Sequence, residues 1–383
     1  MNIFGKMKCK PFTKDIHLSM LGMGAMRLPQ TAEGFAKPID TVRAEEIIDY
    51  CMANGVNYYD TAYIYHGGNS EVFLGNALKK YPRDTFYVAD KFNIQANADY
   101  QAQFREQLDR LQMEYIDFYL LHGITDYIAS DYQESGCIAY FLEQKARKKI
   151  RFFGFSFHGT PEKLRELVKM GCWDFVQIQL NYYDWFHGTA KEQYEILAEN
   201  NIPVMVMEPV HGGMLAALPG EIGALLPAGP QVSPAAWALR FAASLPGVSV
   251  VLSGMSTLEQ ARENIETFSG GINLTAEECG QLEKVSEQLH KHIAVTCTGC
   301  RYCCGNCPKE LDIPLLLTAY NEYKSESAAL GDGALAAWRL NRLKALPPEK
   351  QPSACIGCGA CKKHCPQDLD IPAYMREMAQ YLQ

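Results

Sequence analysis

TVRAEEIIDYCMANGVNYYDTA, residues 41–62, holds one period of the pattern that decides the fold. Its first part has apolar residues at helical spacing, with Val42, Ile47, Ile48 and Cys51 on roughly one face and Gly55 placed as a C-terminal cap. Its last part, NYYDTA at 57–62, is a short aromatic run of strand character. Outward in both directions the alternation recurs. Strands are expected at 19–24, 57–62, 85–92, 115–123, 150–159, 174–183, 202–210 and 248–254, separated by stretches of helical periodicity. Eight such units suit an α/β fold of the closed (β/α)8 TIM barrel type better than an open doubly wound sheet, which the count alone leaves open. Barrel chemistry gathers in the loops at the C-terminal ends of the strands, and that rule selects Asp60, Lys91, His122, Ser156 and either Gln177 or Asn181.

Beyond the eighth unit, a helix around 276–292 leads into a segment of different character, with a domain boundary expected between 1–292 and 293–383. CTGCRYCCGNCPKELDIP (297–314) and CIGCGACKKHCPQDLDIP (355–372) agree at all four cysteine positions and in the ending CPxxLDIP. Each closing Pro suits the first turn of a following helix. Between Cys307 and Cys355 the chain reads mostly as helix, broken at 331–333 and at Pro347–Pro348.

The spacing C-x2-C-x2-C-x3-C-P is that of a 4Fe-4S cluster held by four thiolates, in which the fourth cysteine serves the other cluster when two are present. One cluster then takes Cys297, Cys300, Cys303 and Cys365, and the other Cys355, Cys358, Cys361 and Cys307. A structural zinc is the competing reading, but zinc sites separate two cysteine pairs by a loop, and a continuous run of three fits that poorly. Cys304 falls outside the pattern and is expected to be a bystander. This segment resembles the α-helical ferredoxins, which carry the same paired motif between short helices.

Composition sets outer bounds. A chain of 383 residues calls for two domains, or a large barrel with an appendage. A net charge of -8 with scattered lysines and arginines argues against a nucleic-acid partner. The opening MNIFGKMKCKPFTKD has no signal-peptide core, and no apolar run reaches membrane-spanning length, so no membrane partner and a cytoplasmic address are expected. Fourteen cysteines in that compartment point to metal rather than to a disulfide scaffold.

Several stretches in order carry a second resemblance: LGMGAMRLP at 21–29, DTAYIYHGGNSE at 60–71, DKF at 90–92, DFYLLHG at 117–123, GFSFH at 154–158, QIQLNYYD at 177–184 and GMSTLEQARENI at 254–265. Over about 15–270 the chain resembles the aldo-keto reductases. The resemblance implies carbonyl–alcohol interconversion by hydride transfer with NADP or NAD, a small-molecule carbonyl or alcohol substrate, and a catalytic set of Tyr65, Lys91, Asp60 and His122. It also implies that Ser156 and Gln177 hold the nicotinamide carboxamide, while Gly254, Ser256 and Asn264 lie along the pyrophosphate and adenosine. The chemistry is coherent on its own terms. A phenol near pKa 10 is a reluctant proton donor unless a cation tunes it, as Lys91 would, with Asp60 holding Lys91 and His122 orienting the carbonyl oxygen.

Three positions depart from the family pattern. Phe157 stands where an Asn commonly follows the Ser, Met207 or Glu208 stands where an aromatic often stacks on nicotinamide, and only a displaced Arg262 represents the basic grip on a 2'-phosphate. GMGAM at 22–26 lacks the third Gly of a dinucleotide loop and suits a barrel turn better. YYDWF at 182–186 could line a substrate pocket or pack beneath a loop.

A hydride carries two electrons and each cluster one. Three readings follow: a reductase whose clusters exchange electrons with a ferredoxin-like partner, a reductase that its clusters brace or regulate, and an electron-transfer or redox-sensing protein on a barrel that no longer uses nicotinamide.

Overall fold

The structure is a computed structural model, and it describes residues 7–32, 38–227, 232–330 and 333–382. The chain divides into two compact units, Met1–Val210 with Pro230–Ala276, and His211–Gly229 with Glu277–Gln383.

In the first unit a hairpin of β1 (Cys9–Thr13) and β2 (Ile16–Ser19) precedes eight barrel strands: β3 (Leu21–Gly24), β4 (Tyr58–Asp60), β5 (Tyr87–Phe92), β6 (Ile116–Ile124), β7 (Ile150–Phe157), β8 (Phe175–Gln179), β9 (Val204–Met207) and β10 (Val248–Ser253). The eight are parallel and close through β10 onto β3, with Val251 opposite Leu21 and Ser253 opposite Met23. The expected (β/α)8 barrel is therefore present. Strands buried on both faces need apolar side chains in near-continuous runs, which is why YVADKF and IDFYLLHGI are so poor in exposed polar groups. The antiparallel hairpin plugs the N-terminal end of the barrel. Ile16 and Leu18 join Tyr58, Phe118 and Phe175 in one core, and the Phe12 ring lies 5.2 Å from Phe118 and 4.9 Å from Phe152.

Some expected details change. Val42 is 69% exposed, and Ala44 completes the buried face of helix Thr41–Ala53 with Ile47, Ile48 and Cys51. The strand expected over 174–183 stops at Gln179, because Asn181 caps a new helix, Tyr182–His187, by accepting from the Asp184 N–H at 2.9 Å. Trp185 of that helix packs 5.6 Å from Tyr194 and 5.7 Å from Phe241. The strand expected over 202–210 is confined to Val204–Met207, since Glu208 turns left-handed at φ 53°. Gly22 of GMGAM belongs to the barrel wall, where a Cβ would stand 2.7 Å from Val250 and 2.8 Å from Leu252.

Among its described residues the second unit has helices and turns but no strand. Helix Ala276–His292 enters it, and Ile313–Leu330 and Ile371–Leu382 follow the two cysteine runs, each with its Pro in the first turn as expected. Of the break expected at 331–333, residues 331 and 332 lie outside the described ones. The sequence repeat is also a conformational one: Gly299, Arg301 and Glu310 have φ of 65°, 67° and 49°, and their counterparts Gly357, Gly359 and Asp368 have 69°, 74° and 47°. A core of Leu316, Leu317, Tyr320, Tyr323, Met375 and Met378 supports both runs, with the third cysteine of each, Cys303 and Cys361, buried in it.

Candidate functional site

At the C-terminal end of the barrel, Asp60 ends β4, Lys91 lies near the end of β5 and His122 near the end of β6. The Lys91 ammonium donates to Asp60 Oδ1 at 2.5 Å and to the Thr61 carbonyl at 2.6 Å, with both side chains of the ion pair buried. Tyr65 comes from the turn after β4, in which His66, Gly67 and Gly68 all take left-handed backbone. That turn places the Tyr65 ring centroid 5.0 Å from Lys91 Nζ and 5.8 Å from the His122 ring. The four residues expected to act together are thus brought together.

The site's electrostatics follow from burial. Burial pushes the Asp60 carboxyl up, and the Lys91 charge with hydrogen bonds from Lys91 and Gln177 pulls it partly back. His122 is held well below its ordinary value, first by burial and then by the charge of Lys91, so its imidazole is neutral at neutral pH. Its Nδ1 lies 3.5 Å from Asn93 Nδ2, a donor it can accept from when the ring N–H is on Nε2.

In the second unit Cys307 lines one apolar cavity with Cys355, Cys358 and Cys361. The Cys361 thiol is pushed up to about 11, first by burial and then by Cys355, with the Lys362 N–H pulling the other way and Cys307 and Cys358 adding smaller pushes. Cys303 is pushed up by its hydrogen bond with Cys304, by burial, and by the nearby Cys304, Cys300 and Cys365 thiols. The Gly299 N–H donates to Cys297 Sγ at 3.4 Å. Each run therefore has the other run's fourth cysteine beside it. Among the described residues no three Cys, His, Asp or Glu side chains converge on a single-ion point. A cube takes one thiolate per iron, so its ligands ring a cavity instead, and grouped thiols suit that guest.

Residues 20–224 and 225–287 match the model of the aldo/keto reductase family, and residues 296–369 match that of a 4Fe-4S dicluster domain. The chain belongs to the aldo/keto reductase family. An uncharacterized oxidoreductase of Bacillus subtilis is 28% identical over 73% of this chain and 97% of its own length. The NADH-specific methylglyoxal reductase of Escherichia coli is 25% identical over 73% of this chain and 98% of its own. An aldo-keto reductase of Bacillus halodurans, solved in its holo form, superposes with a TM-score of 0.62 at 28% identity, covering 73% of this chain and 96% of that one. The protein is an NAD(P)-dependent oxidoreductase of aldo-keto reductase type with an iron–sulfur domain, and the reading of a barrel without nicotinamide use is not favoured.

In this aldo/keto reductase Ser156 and Gln177 face each other across β7 and β8 as Cα partners, both buried. Ser156 Oγ accepts from the Gly123 N–H at 2.7 Å. Gln177 Oε1 is buried with no hydrogen-bond partner among the described residues, and such an orphan acceptor fits the N–H2 of a carboxamide. The distal residues are engaged within the protein. Asn264 donates to Ser253 Oγ at 2.9 Å and Ser256 Oγ to the Arg27 carbonyl at 2.6 Å, while a Cβ on Gly254 would stand 2.9 Å from Arg27. Arg262 lies over the Tyr50 ring at 5.7 Å.

Sequence reasoning missed the shell behind Lys91. The Lys91 N–H donates to Asp90 Oδ1 at 2.8 Å, and Gln107 Nε2 donates to the Lys91 carbonyl at 3.1 Å and to Glu71 Oε1 at 3.0 Å. Arg110 holds Glu71 at 2.7 Å, and the Tyr119 hydroxyl donates to Gln107 at 2.5 Å. Asp90 is raised well above the carboxylate range, first by burial and then by the Glu71 charge, both of which favour its neutral form. The available signal was DKF itself: in a strand, successive side chains face opposite ways, so the Asp beside an inward Lys must lie among the helices.

Proposed function

We infer that this protein interconverts a small carbonyl and its alcohol by hydride transfer in the barrel, and that its second unit holds two 4Fe-4S clusters. The observation that carries the first part is the assembly of Asp60, Lys91, Tyr65 and His122 at one barrel mouth. Nicotinamide supplies or takes the hydride when bound. Ser156 and Gln177 orient its carboxamide, with Gln177 Oε1 accepting from the amide. Neutral His122 donates from Nε2 to the substrate carbonyl oxygen and fixes its direction. Tyr65 gives that oxygen its proton, and the Lys91 charge under the ring stabilises the phenolate left behind. Asp60 and the Thr61 carbonyl hold Lys91 in place.

For the clusters, the support is the cysteine exchange. Cys297, Cys300, Cys303 and Cys365 hold one, and Cys355, Cys358, Cys361 and Cys307 the other. A small aldehyde is the first substrate class to assay, because one relative of nearly full coverage is a methylglyoxal reductase.

The test is aldehyde-dependent NADH and NADPH oxidation by anaerobically purified protein, with nicotinamide binding followed by calorimetry. Tyr65→Phe is expected to lower kcat about 10²–10⁴-fold while leaving nicotinamide affinity unchanged. Full turnover in that variant overturns the proton-donor assignment, and no nicotinamide binding by the native protein overturns the barrel reading.

A further inference from the structure

The two cysteine loops are repeats in identical conformations with different surroundings. The second position of the first run is Thr298, 3% exposed, and its carbonyl lies beneath the segment His211–Ala216, so close that a Cβ on Gly212 would stand 2.1 Å from it. The same position of the second run is Ile356, 62% exposed, followed by exposed Gly357 and Cys358. Cys358 is exposed where its counterpart in the first run, Cys300, is half-buried. One loop is covered by its own unit, and the other is bare.

The bare loop has a definite character. Ile356, Cys358 and Lys309 line the same cavity, so a large apolar side chain marks the point where the cluster site meets solvent. Lys362 and Lys363 follow within the next helical turn, and no acid stands between Cys355 and Cys365. The nearby Glu310 carboxylate is taken up by Lys350 at 3.0 Å. On a chain of net charge -8 this edge is locally basic, and an apolar centre inside a charged rim is the make-up of a protein-docking patch.

We propose that the Ile356–Cys358 edge is the docking face for an acidic one-electron carrier protein, and that electrons cross between carrier and protein at the second cluster rather than the first. This rests on the cluster assignment above. Each encounter moves one electron: the reduced carrier is oxidised by one, and the cluster passes from its 2+ to its 1+ state. Basic charge at the rim speeds encounter and orients the carrier's acidic face.

The experiment uses the full-length protein, purified anaerobically and assayed first for iron and sulfide. Fully reduced acidic flavodoxin is the probe. Its anionic hydroquinone loses one electron to become the neutral semiquinone, whose absorbance is separable from cluster bleaching in stopped flow. Lys362→Glu with Lys363→Glu is expected to slow reduction by flavodoxin about tenfold or more at low salt, with the dithionite rate and iron content unchanged. With the native protein the flavodoxin rate should fall as salt rises, which keeps the proposal testable if the double variant loses iron. A flavodoxin rate indifferent to both charge reversal and salt overturns the proposal while leaving the clusters in place. A native dimer that buries this face, revealed by Ile356→Asp making it monomeric, also overturns it. Protein without iron and sulfide overturns the cluster assignment itself.

Discussion

Asp90 and Lys91 are neighbours in sequence that face opposite ways, and their opposite treatment shows what burial demands. The Lys91 amine is buried with its hydrogen bonds accepted by Asp60 and the Thr61 carbonyl. Asp90, equally buried, has the Glu71 charge near it while Arg110 is paired with Glu71 instead, so burial and that charge favour its neutral form. Stability then depends on pH with a definite sign. The native Asp90 holds a proton that the unfolded chain releases above about pH 4, so the unfolded state binds fewer protons and this group's contribution declines as pH rises toward the raised native value. Asp90→Asn keeps an oxygen to accept from the Lys91 N–H and removes the titration. Its urea midpoint should match the native protein's near pH 4 and exceed it at pH 8, and a lower midpoint at pH 8 would show that Asp90 is ionised in the native state. None of this was visible in DKF beyond the side-chain alternation, because Glu71, Gln107 and Arg110 reach the site from other elements. Lys91 and Asp60 could be picked out, since a single rule about strand ends selects them.

Elements were readable from the sequence where their own periodicity decides them. Every barrel strand falls within its expected range or one residue beyond it, and helix Ala276–His292 has its expected limits. What was not readable is where one element depends on another. The hairpin β1–β2 is such a case, as Phe12 gains its value only from Phe118 and Phe152 at the far end of the barrel. The turn His211–Ala216 is another, formed so that its backbone can approach Thr298. Gly212 and Gly357 separate two demands on glycine. Both have positive φ, but a Cβ on Gly212 meets the Thr298 carbonyl at 2.1 Å, while one on Gly357 meets nothing within 4 Å. Gly357→Ala should cost about 1 kcal/mol, the conformational term alone. Gly212→Ala must also move a backbone segment, so it should lower the unfolding midpoint clearly more and reduce retained iron. Equal losses in both variants would mean that the close approach at Thr298 does not constrain the loop.

At the scale of the molecule, the sequence repeat already contained the second unit's design, because the spacing C-x2-C-x2-C-x3-C-P specifies thiolates rather than a contact surface. Under the proposed exchange, a fourth cysteine serving the opposite run would tie two loops 47 residues apart into one folded object, since neither cluster would be complete without both. Paired substitutions distinguish this exchange from the alternative, in which each run serves its own cluster. Under exchange, Cys300→Ala with Cys365→Ala strikes one cluster twice and should leave about four irons, while Cys300→Ala with Cys307→Ala strikes both and should leave far fewer. If each run were self-contained, the two results would be reversed: Cys300 and Cys307 would share a cluster, and the pair with Cys365 would damage both. Iron and sulfide analysis with low-temperature electron paramagnetic resonance of the reduced variants reads the outcome. Exchange is the expected one, because Cys307 shares its cavity with Cys355, Cys358 and Cys361 while Cys365 lies beside Cys303.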